Sequence, residues 1–571
     1  MLLYPDCRHG ASIIFHCPHT HSPTVRDAGV TYVGTDSNGV ESFLNIRYGH
    51  DTSGQRRFKP PIPFHYATGT RVNTTEAGAA CPQILGNPFP QFNGVYNEVT
   101  LISEDCLAVR VTRPSNTYSH AKLPVMVYLY GLGYEAGSIY GAAAYDPSTF
   151  VRQDGLKGLP VIYVAINYRV GIFVFAASDS LRDEDSLNAG LLDQYLGLHV
   201  TLFGHDVGWA NVQLQLTAYG GNAEPLFNRA ILQSGPTFSG ITLTTGVADN
   251  STTQVAQALN CTSRSGNGHE DTISCLRALP MTVLNNAANE YANATFPIEG
   301  YGVFRPTAPS TFIPDAPHAL LHNGSFRRDV DILVGWNEND GSVYIPQTVN
   351  STAEFTSIVT AYFPGLSSSN LQELAELYPA SNFSDDPAEN IERNFFRAAR
   401  VIRDAHFVCP ALRLGHEWNR FAANQSVYMY ALNQTVMREE YANAHHGFTG
   451  VNHLSDIPYV FDTVNGPEWS PTAKQSDYDM ASRMSGSWAS FARHGQPTVP
   501  SLSDEEIVAK NMTIPGWTQA GWIQEDGRGL HMRVLGGPRD GMTWTFGDYD
   551  EYLSPRCVFW GTEDVVVQTN V

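Results

Sequence analysis

Residues 200 to 208 read Val-Thr-Leu-Phe-Gly-His-Asp-Val-Gly, an apolar run that enters a Gly-x-x-x-Gly turn with Asp206 at its centre. A strand that ends in glycine, presents one side chain and restarts as a helix, here expected from Trp209 to Tyr219, is a nucleophile elbow in which Gly204 and Gly208 let backbones approach closely. The residue at such a tip sits at positive φ, which Asp tolerates better than most residues. A carboxylate in that place changes the chemistry. With a reference pKa of about 3.9 it is ionised without help from a base, but its attack on an ester carbonyl would give a high-energy anhydride, so ordinary acyl transfer is disfavoured. Saturated carbon is the electrophile that suits a carboxylate nucleophile. An ordinary strand-to-helix turn is the alternative reading of the same nine residues.

The elements around this turn alternate. Pro124 to Tyr130 and Pro160 to Asn167 are continuous apolar runs that read as buried parallel strands. Leu187 to Leu198 has helical spacing, Val200 to Phe203 is a strand, Val212 to Tyr219 a helix, and Ala230 to Gln233 and Val330 to Val334 are further strands. This order predicts a doubly wound α/β sheet. Residues 240–325 and 342–440 carry helical patterns and suit insertions over the carboxyl edge of the sheet, where substrates bind in such folds. His199 alone separates the helix ending at Leu198 from the strand beginning at Val200, whereas such connections normally take 2 to 6 residues. Either that helix unwinds early or coding sequence is missing there.

The 571 residues are 42% hydrophobic and contain no long Pro/Ser/Gly connector, repeat or low-complexity tract, so residues 25–571 are expected to form one large domain with insertions. A net charge of -21, from 35 Lys+Arg against 56 Asp+Glu, disfavours nucleic acid and anionic membranes as partners. No run reaches 18 apolar residues, so no membrane-spanning helix is expected. Residues 1–24 form an atypical leader: the apolar stretch Ala11 to Phe15 is shorter than the 7 to 15 residues of a secretory signal, and its Cys and His residues lack zinc-finger spacing. The body of the chain nevertheless suits an oxidising compartment. It has ten Asn-x-Ser/Thr sequons, at Asn73, Asn250, Asn260, Asn293, Asn323, Asn350, Asn382, Asn424, Asn433 and Asn511. Cys81 with Cys106, and Cys261 with Cys275, bracket short stretches suited to disulfides, and Cys409 with Cys557 would close a long loop; free buried thiols are the alternative, and spacing does not decide connectivity.

In order along the chain, Arg57-Phe58-Lys59-Pro60-Pro61, Ser103-Glu104-Asp105-Cys106-Leu107, Tyr130-Gly131-Leu132-Gly133, Ile166-Asn167-Tyr168-Arg169, Asn188 to Gln194, Ala218-Tyr219-Gly220-Gly221, Ile231 to Gly235 and Asn452 to Phe461 match a single pattern. Over nearly the whole chain from Pro23, the sequence resembles the type-B carboxylesterase and cholinesterase-like family of α/β-hydrolases, especially its fungal members. The resemblance implies an α/β-hydrolase fold, the two short disulfide loops, no metal or organic cofactor, and a triad in the order nucleophile, acid, histidine. Position by position, these fall on Asp206, on Asp340 within Gly335 to Gly341, and on His453, with Glu338 as an alternative acid. The oxyanion donors fall on the N–H groups of Val207 and of Leu132 or Gly133.

This sequence departs from the family pattern in three places. Serine is absent from the elbow; Leu132 stands where the family has glycine, at a cost of roughly 1 to 3 kcal/mol if the position needs positive φ; and the stretch before Val200 is short. The expectation is therefore a hydrolase acting on a small, largely apolar organic substrate, ester-like or epoxide-like. The pentapeptide Gly204 to Gly208 also resembles the elbow of epoxide hydrolases and haloalkane dehalogenases, in which Asp forms an alkyl ester that His-activated water cleaves. Two other readings stand beside it: a catalytically silent binding protein, and a non-hydrolytic acid/base enzyme in which an Asp206–His453 ion pair keeps the histidine protonated.

Overall fold

The computed structural model describes residues 22–86, 99–198, 200–235, 242–262, 272–295, 302–523 and 529–569; His199 and the leader up to residue 21 lie outside the described residues. The apolar runs form one twelve-stranded sheet. In chain order its strands are β1 (Thr35–Ser37), β2 (Val40–Arg47), β3 (Ala108–Pro114), β4 (Val125–Leu129), β5 (Ile162–Ile166), β6 (Val200–His205), β7 (Phe227–Gln233), β8 (Asp331–Asn337), β9 (Val427–Leu432), β10 (Trp522–Ile523), β11 (Gly529–Leu535) and β12 (Gly541–Trp544). Across the sheet the order is β10-β11-β9-β8-β7-β6-β4-β5-β3-β2-β1, with β12 on the outer side of β11. The central pairs from β5 to β11 are parallel and the outer ones antiparallel, the arrangement of an α/β-hydrolase.

Register explains why the candidate residues meet. Leu129 of β4 pairs with Gly204 of β6, His205 with Gln233 of β7, and Gln233 with Gly335 of β8. These four strands therefore finish side by side, and the loops carrying Leu132, Asp206, Ser234 and Asp340 leave from one edge. Between parallel strands the chain must cross back, and helices do so: α1 (Ala189–Gly197) precedes β6 and α2 (Val207–Thr217) follows it.

Two expectations need correction. The helix predicted to Leu198 stops at Gly197, and Leu198 is extended (φ -89°, ψ 131°). The helical insertion predicted over 342–440 contains β9 at its end. All six residues of Val-Tyr-Met-Tyr-Ala-Leu are buried, so no two-residue alternation marks the strand, and only its brevity separates it from a buried helix segment. The rest of both insertions is largely helical, including α3 (Thr245–Ala258), α4 (Met281–Thr295), α5 (Arg393–Arg403) and α6 (Cys409–Phe421). The disulfides Cys81–Cys106, Cys261–Cys275 and Cys409–Cys557 are all formed. Among the described residues, no helix is long and apolar enough to cross a membrane.

Candidate active site

The turn after β6 has the expected elbow geometry. Asp206 lies at φ 57°, ψ -126°, a conformation that costs about 1–3 kcal/mol and persists only where its surroundings enforce it. The Asp206 N–H donates to the Gln233 carbonyl at 3.0 Å and its own carbonyl accepts from Trp209 N–H at 2.9 Å, so both flanks are pinned. Glycine is required at 204 and 208: a Cβ on Gly204 would lie 2.3 Å from the Gly208 oxygen, and one on Gly208 would lie 2.2 Å from the Leu129 oxygen.

The carboxylate of Asp206 is divided between two kinds of partner. Leu132 N–H donates to Oδ2 at 2.5 Å, while Oδ1 lies 3.2 Å from His453 Nε2. Val207 N–H also helps hold the Asp206 carboxylate in its charged form. The Gly133 carbonyl accepts from Gly302 N–H at 3.0 Å. Leu132 adopts φ 77°, so the strain expected for a non-glycine residue there is present. The donor geometry survives it, because that N–H still reaches the Asp206 side chain.

His453 is held from its other side by Asp340, with Nδ1 2.9 Å from Asp340 Oδ1. Asp340 is wholly buried, and its Oδ2 accepts from Asn337 N–H at 2.7 Å. Asn339 fastens the two loops together: its N–H donates to the Val451 carbonyl at 2.9 Å, and its Oδ1 accepts from Val451 N–H at 3.0 Å. Sequence reasoning passed over Asn339 because an asparagine in a turn has many ordinary roles. Glu338 points elsewhere, bonding the Tyr549 hydroxyl and lying 3.4 Å from Arg403, so the alternative acid does not meet His453.

Electrostatics follow from the geometry. Burial alone would lower the basicity of His453, but its contacts to Asp206 and Asp340 outweigh that and raise its pKa to about 9. Burial likewise pushes Asp206 up, yet the facing imidazolium and the Val207 and Leu132 N–H groups pull it below the ordinary carboxylate range. At neutral pH the pair is therefore carboxylate and imidazolium.

A second buried pair was not anticipated. His205 Nε2 lies 2.8 Å from Asp456 Oδ1, and the His205 ring is 5.0 Å from that of His453. Both residues fall inside stretches singled out in the sequence, but nothing in their spacing, some 250 positions apart, links them. A cavity of about 30 Å³ adjoins Asp206, with His205, Tyr128, Tyr145, Leu132 and Leu454 among its walls. A groove of about 660 Å³ lies away from this chemistry, around Asn433, Arg438, Lys474, Arg533 and Asp540, and pairs its own charges, as in Arg533 with Asp540 at 3.1 Å. Among the described residues, no group of three or more His, Cys, Asp or Glu side chains is placed to hold a metal ion.

The family model described as "Carboxylesterase family" matches residues 24–521. An inactive carboxylesterase-like protein of Byssochlamys spectabilis is 36% identical over 491 residues, 82% of each chain. A secreted lipase of Arthroderma benhamiae is 31% identical over 575 residues, 95% of each chain. Among solved structures, EstA of Aspergillus niger superposes with a TM-score of 0.76 at 24% identity, covering 96% of this chain and 99% of that one, which supports the fold. With a family match over most of its length and relatives of this similarity spanning four-fifths or more of it, the chain belongs to the carboxylesterase family.

Proposed function

We propose that this member of the carboxylesterase family is silent toward carboxylic esters by the acyl-enzyme route, and that its pocket binds a small, largely apolar organic molecule. One observation carries the reading: Asp206 Oδ2 accepts from Leu132 N–H at 2.5 Å while Oδ1 faces His453 at 3.2 Å. The donor that would hold the oxyanion of an ester intermediate is thus filled by the protein's own carboxylate, and the imidazole that would serve as base is protonated. The relative named as inactive is consistent with this, as said of that protein.

The test is a gain of function. Asp206→Ser removes the charge, vacates the Leu132 N–H and returns His453 toward ordinary basicity. Hydrolysis of 4-nitrophenyl acetate is expected to rise about 100-fold above the unmodified protein, the scale of one recovered oxyanion donor. Ester turnover by the unmodified protein that disappears in Asp206→Ala defeats the reading.

A second reading is favoured by the unequal partners of the two oxygens. With Oδ2 held by backbone and Oδ1 facing His453, Oδ1 is the oxygen left to displace a leaving group from saturated carbon and form an alkyl ester. That step removes the charge that keeps His453 protonated. Once the imidazolium has given its proton to the departing oxygen, it can take one from water, whose oxygen attacks Cγ while Leu132 and Val207 N–H stabilise Oδ2. Collapse releases the alcohol and restores the carboxylate. Single-turnover opening of an epoxide in heavy-oxygen water would label Asp206; an unlabelled peptide after confirmed opening excludes the route.

The proposed compartment is the secretory pathway, supported by three disulfides and a relative described as secreted.

A further inference from the structure

Asp340 and His453 lie on two separate turns, 113 positions apart in the chain, yet Oδ1 meets Nδ1 at 2.9 Å. A slip of about 1 Å between the turns would break that bond, so the turns need a fastening of their own. Three consecutive residues leave the end of β8 toward three different partners. Glu338 goes to Tyr549 and Arg403, Asn339 to the stretch just before His453, and Asp340 to His453 itself.

Asn339 pairs with Asn452 as an isolated parallel bridge. Its N–H donates to the Val451 carbonyl at 2.9 Å, and Val451 N–H donates back to its side-chain Oδ1 at 3.0 Å, so one residue answers both backbone groups of Val451. The Asn339 carbonyl accepts from Ser342 Oγ at 2.8 Å, and the same hydroxyl reaches the Thr449 carbonyl at 2.7 Å, a second link between the turns. Gly450 makes this approach possible: it sits at φ 68°, and a Cβ there would lie 2.5 Å from Asn339 Oδ1. Val451 is buried, so removing Oδ1 would leave its N–H short of an acceptor away from water.

The groups that face His453 are Asp340 from this turn, Asp206 from the elbow, the His205 ring at 5.0 Å, and the rings of Tyr344 at 5.5 Å and Phe407 at 5.4 Å. Asp206 is held by its elbow and by Leu132 N–H, whereas Asp340 is carried on the turn that Asn339 secures. We infer that Asn339, assisted by Ser342, is a positioning residue: by bonding both backbone groups of Val451 it fixes the distance between Asp340 and His453 Nδ1. The inference rests on the reading of Asp340 and His453 as a working pair and serves either chemistry at Asp206.

Histidine NMR of the full chain reads the outcome, with the His453 signal identified by its loss in His453→Gln. In Asn339→Ala the His453 titration midpoint is expected to fall from about 9 by roughly one pH unit, the low end of what a facing carboxylate contributes. Asn339→Asp keeps an oxygen for Val451 N–H and is expected to hold the midpoint at or above its unmodified position. Tyr549→Phe loosens the same turn at Glu338 without changing its charge, and is expected to lower Tm and leave the midpoint alone. An unmoved midpoint in Asn339→Ala, an equal fall in Asn339→Asp, or an equal fall in Tyr549→Phe overturns the proposal. If Asn339→Ala fails to fold, Ser342→Ala decides by the same measurement, a fall supporting the assignment and no change overturning it. Asp340→Asn keeps the two ideas apart. An unmoved midpoint there defeats the pairing of Asp340 with His453 and the inference with it; a fall there with none in Asn339→Ala defeats the positioning role alone.

Discussion

Putting a carboxylate at position 206 turns a neutral hydroxyl into a permanent charge that the neighbouring groups then answer. His453 is the group that answers most directly, and its pKa is raised from 6.5 to about 9. A group whose folded pKa is raised contributes stability that is fully present below its unfolded pKa and is lost as pH climbs through its folded value. The stabilisation from protonated His453 is therefore complete below about pH 6.5 and gone above about pH 9, worth on the order of 3 kcal/mol for a buried, coupled group. Asp206→Asn is expected to remove most of it. Urea unfolding at pH 7 should show the variant less stable, with the gap closing by pH 10; a gap that is constant over that range refutes the charge pairing. Histidine NMR offers the same test locally, since the imidazolium signal of His453 should persist to about pH 9 and retreat toward 6.5 in the variant. Asp340→Asn should lower it too, because the contact at 2.9 Å is lost, while leaving Asp206 in place.

At the scale of elements, the elbow depends on absent side chains. Gly208→Ala would place a methyl 2.2 Å from the Leu129 oxygen, which no rotamer can relieve because the atom in the way is backbone. A loss of several kcal/mol is expected, seen as failure to accumulate or as a large drop in Tm. This requirement was legible in the sequence, as were the four central strands and the elbow itself, because continuous apolar runs bounded by glycine allow few other arrangements. Val427 to Leu432 was not, since a strand buried on both faces lacks the alternation that identifies one. Nor was the meeting of His205 with Asp456, or of Asn339 with Val451, which the fold brings together from loops far apart in the sequence. The spacing of cysteines suggested pairs, and the fold ranks them by loop. Cys409–Cys557 spans 148 residues and ties α6 to the helix Leu553–Trp560, whereas Cys261–Cys275 spans 14. In the chain-entropy account the long closure is worth about 5 kcal/mol and the short one about 3. The Cys409→Ser/Cys557→Ser pair should therefore lower Tm more than Cys261→Ser/Cys275→Ser; the reverse order would mean that local packing, not loop closure, sets these contributions.

For the whole molecule, a net charge of -21 spread over a large surface and ten sequons describe a chain whose outside is made for water. The sequons are not equivalent once folded. The asparagines at 73, 250, 260, 293, 323, 350, 382 and 424 are exposed, whereas Asn433 and Asn511 are half-buried. These two flank the same groove of about 660 Å³: Asn433 lines it, and Asn511 Oδ1 accepts from the groove residue Arg483 through Nε at 2.6 Å. A glycan on Asn511 Nδ2 would have to find room beside the Arg483 side chain bound to the same amide, and one at Asn433 would have to enter past Gly537, whose backbone leaves only 2.8 Å between a notional Cβ and the asparagine Nδ2. Secretion from a yeast host, followed by glycopeptide mass spectrometry, should therefore find high occupancy at several of the exposed positions and low occupancy at Asn433 and Asn511. Endoglycosidase treatment should reduce the apparent mass without lowering Tm, because glycans on exposed asparagines rest on no packed surface. Full occupancy at Asn511 in protein that melts normally would show that the groove admits a sugar beside the Arg483 contact.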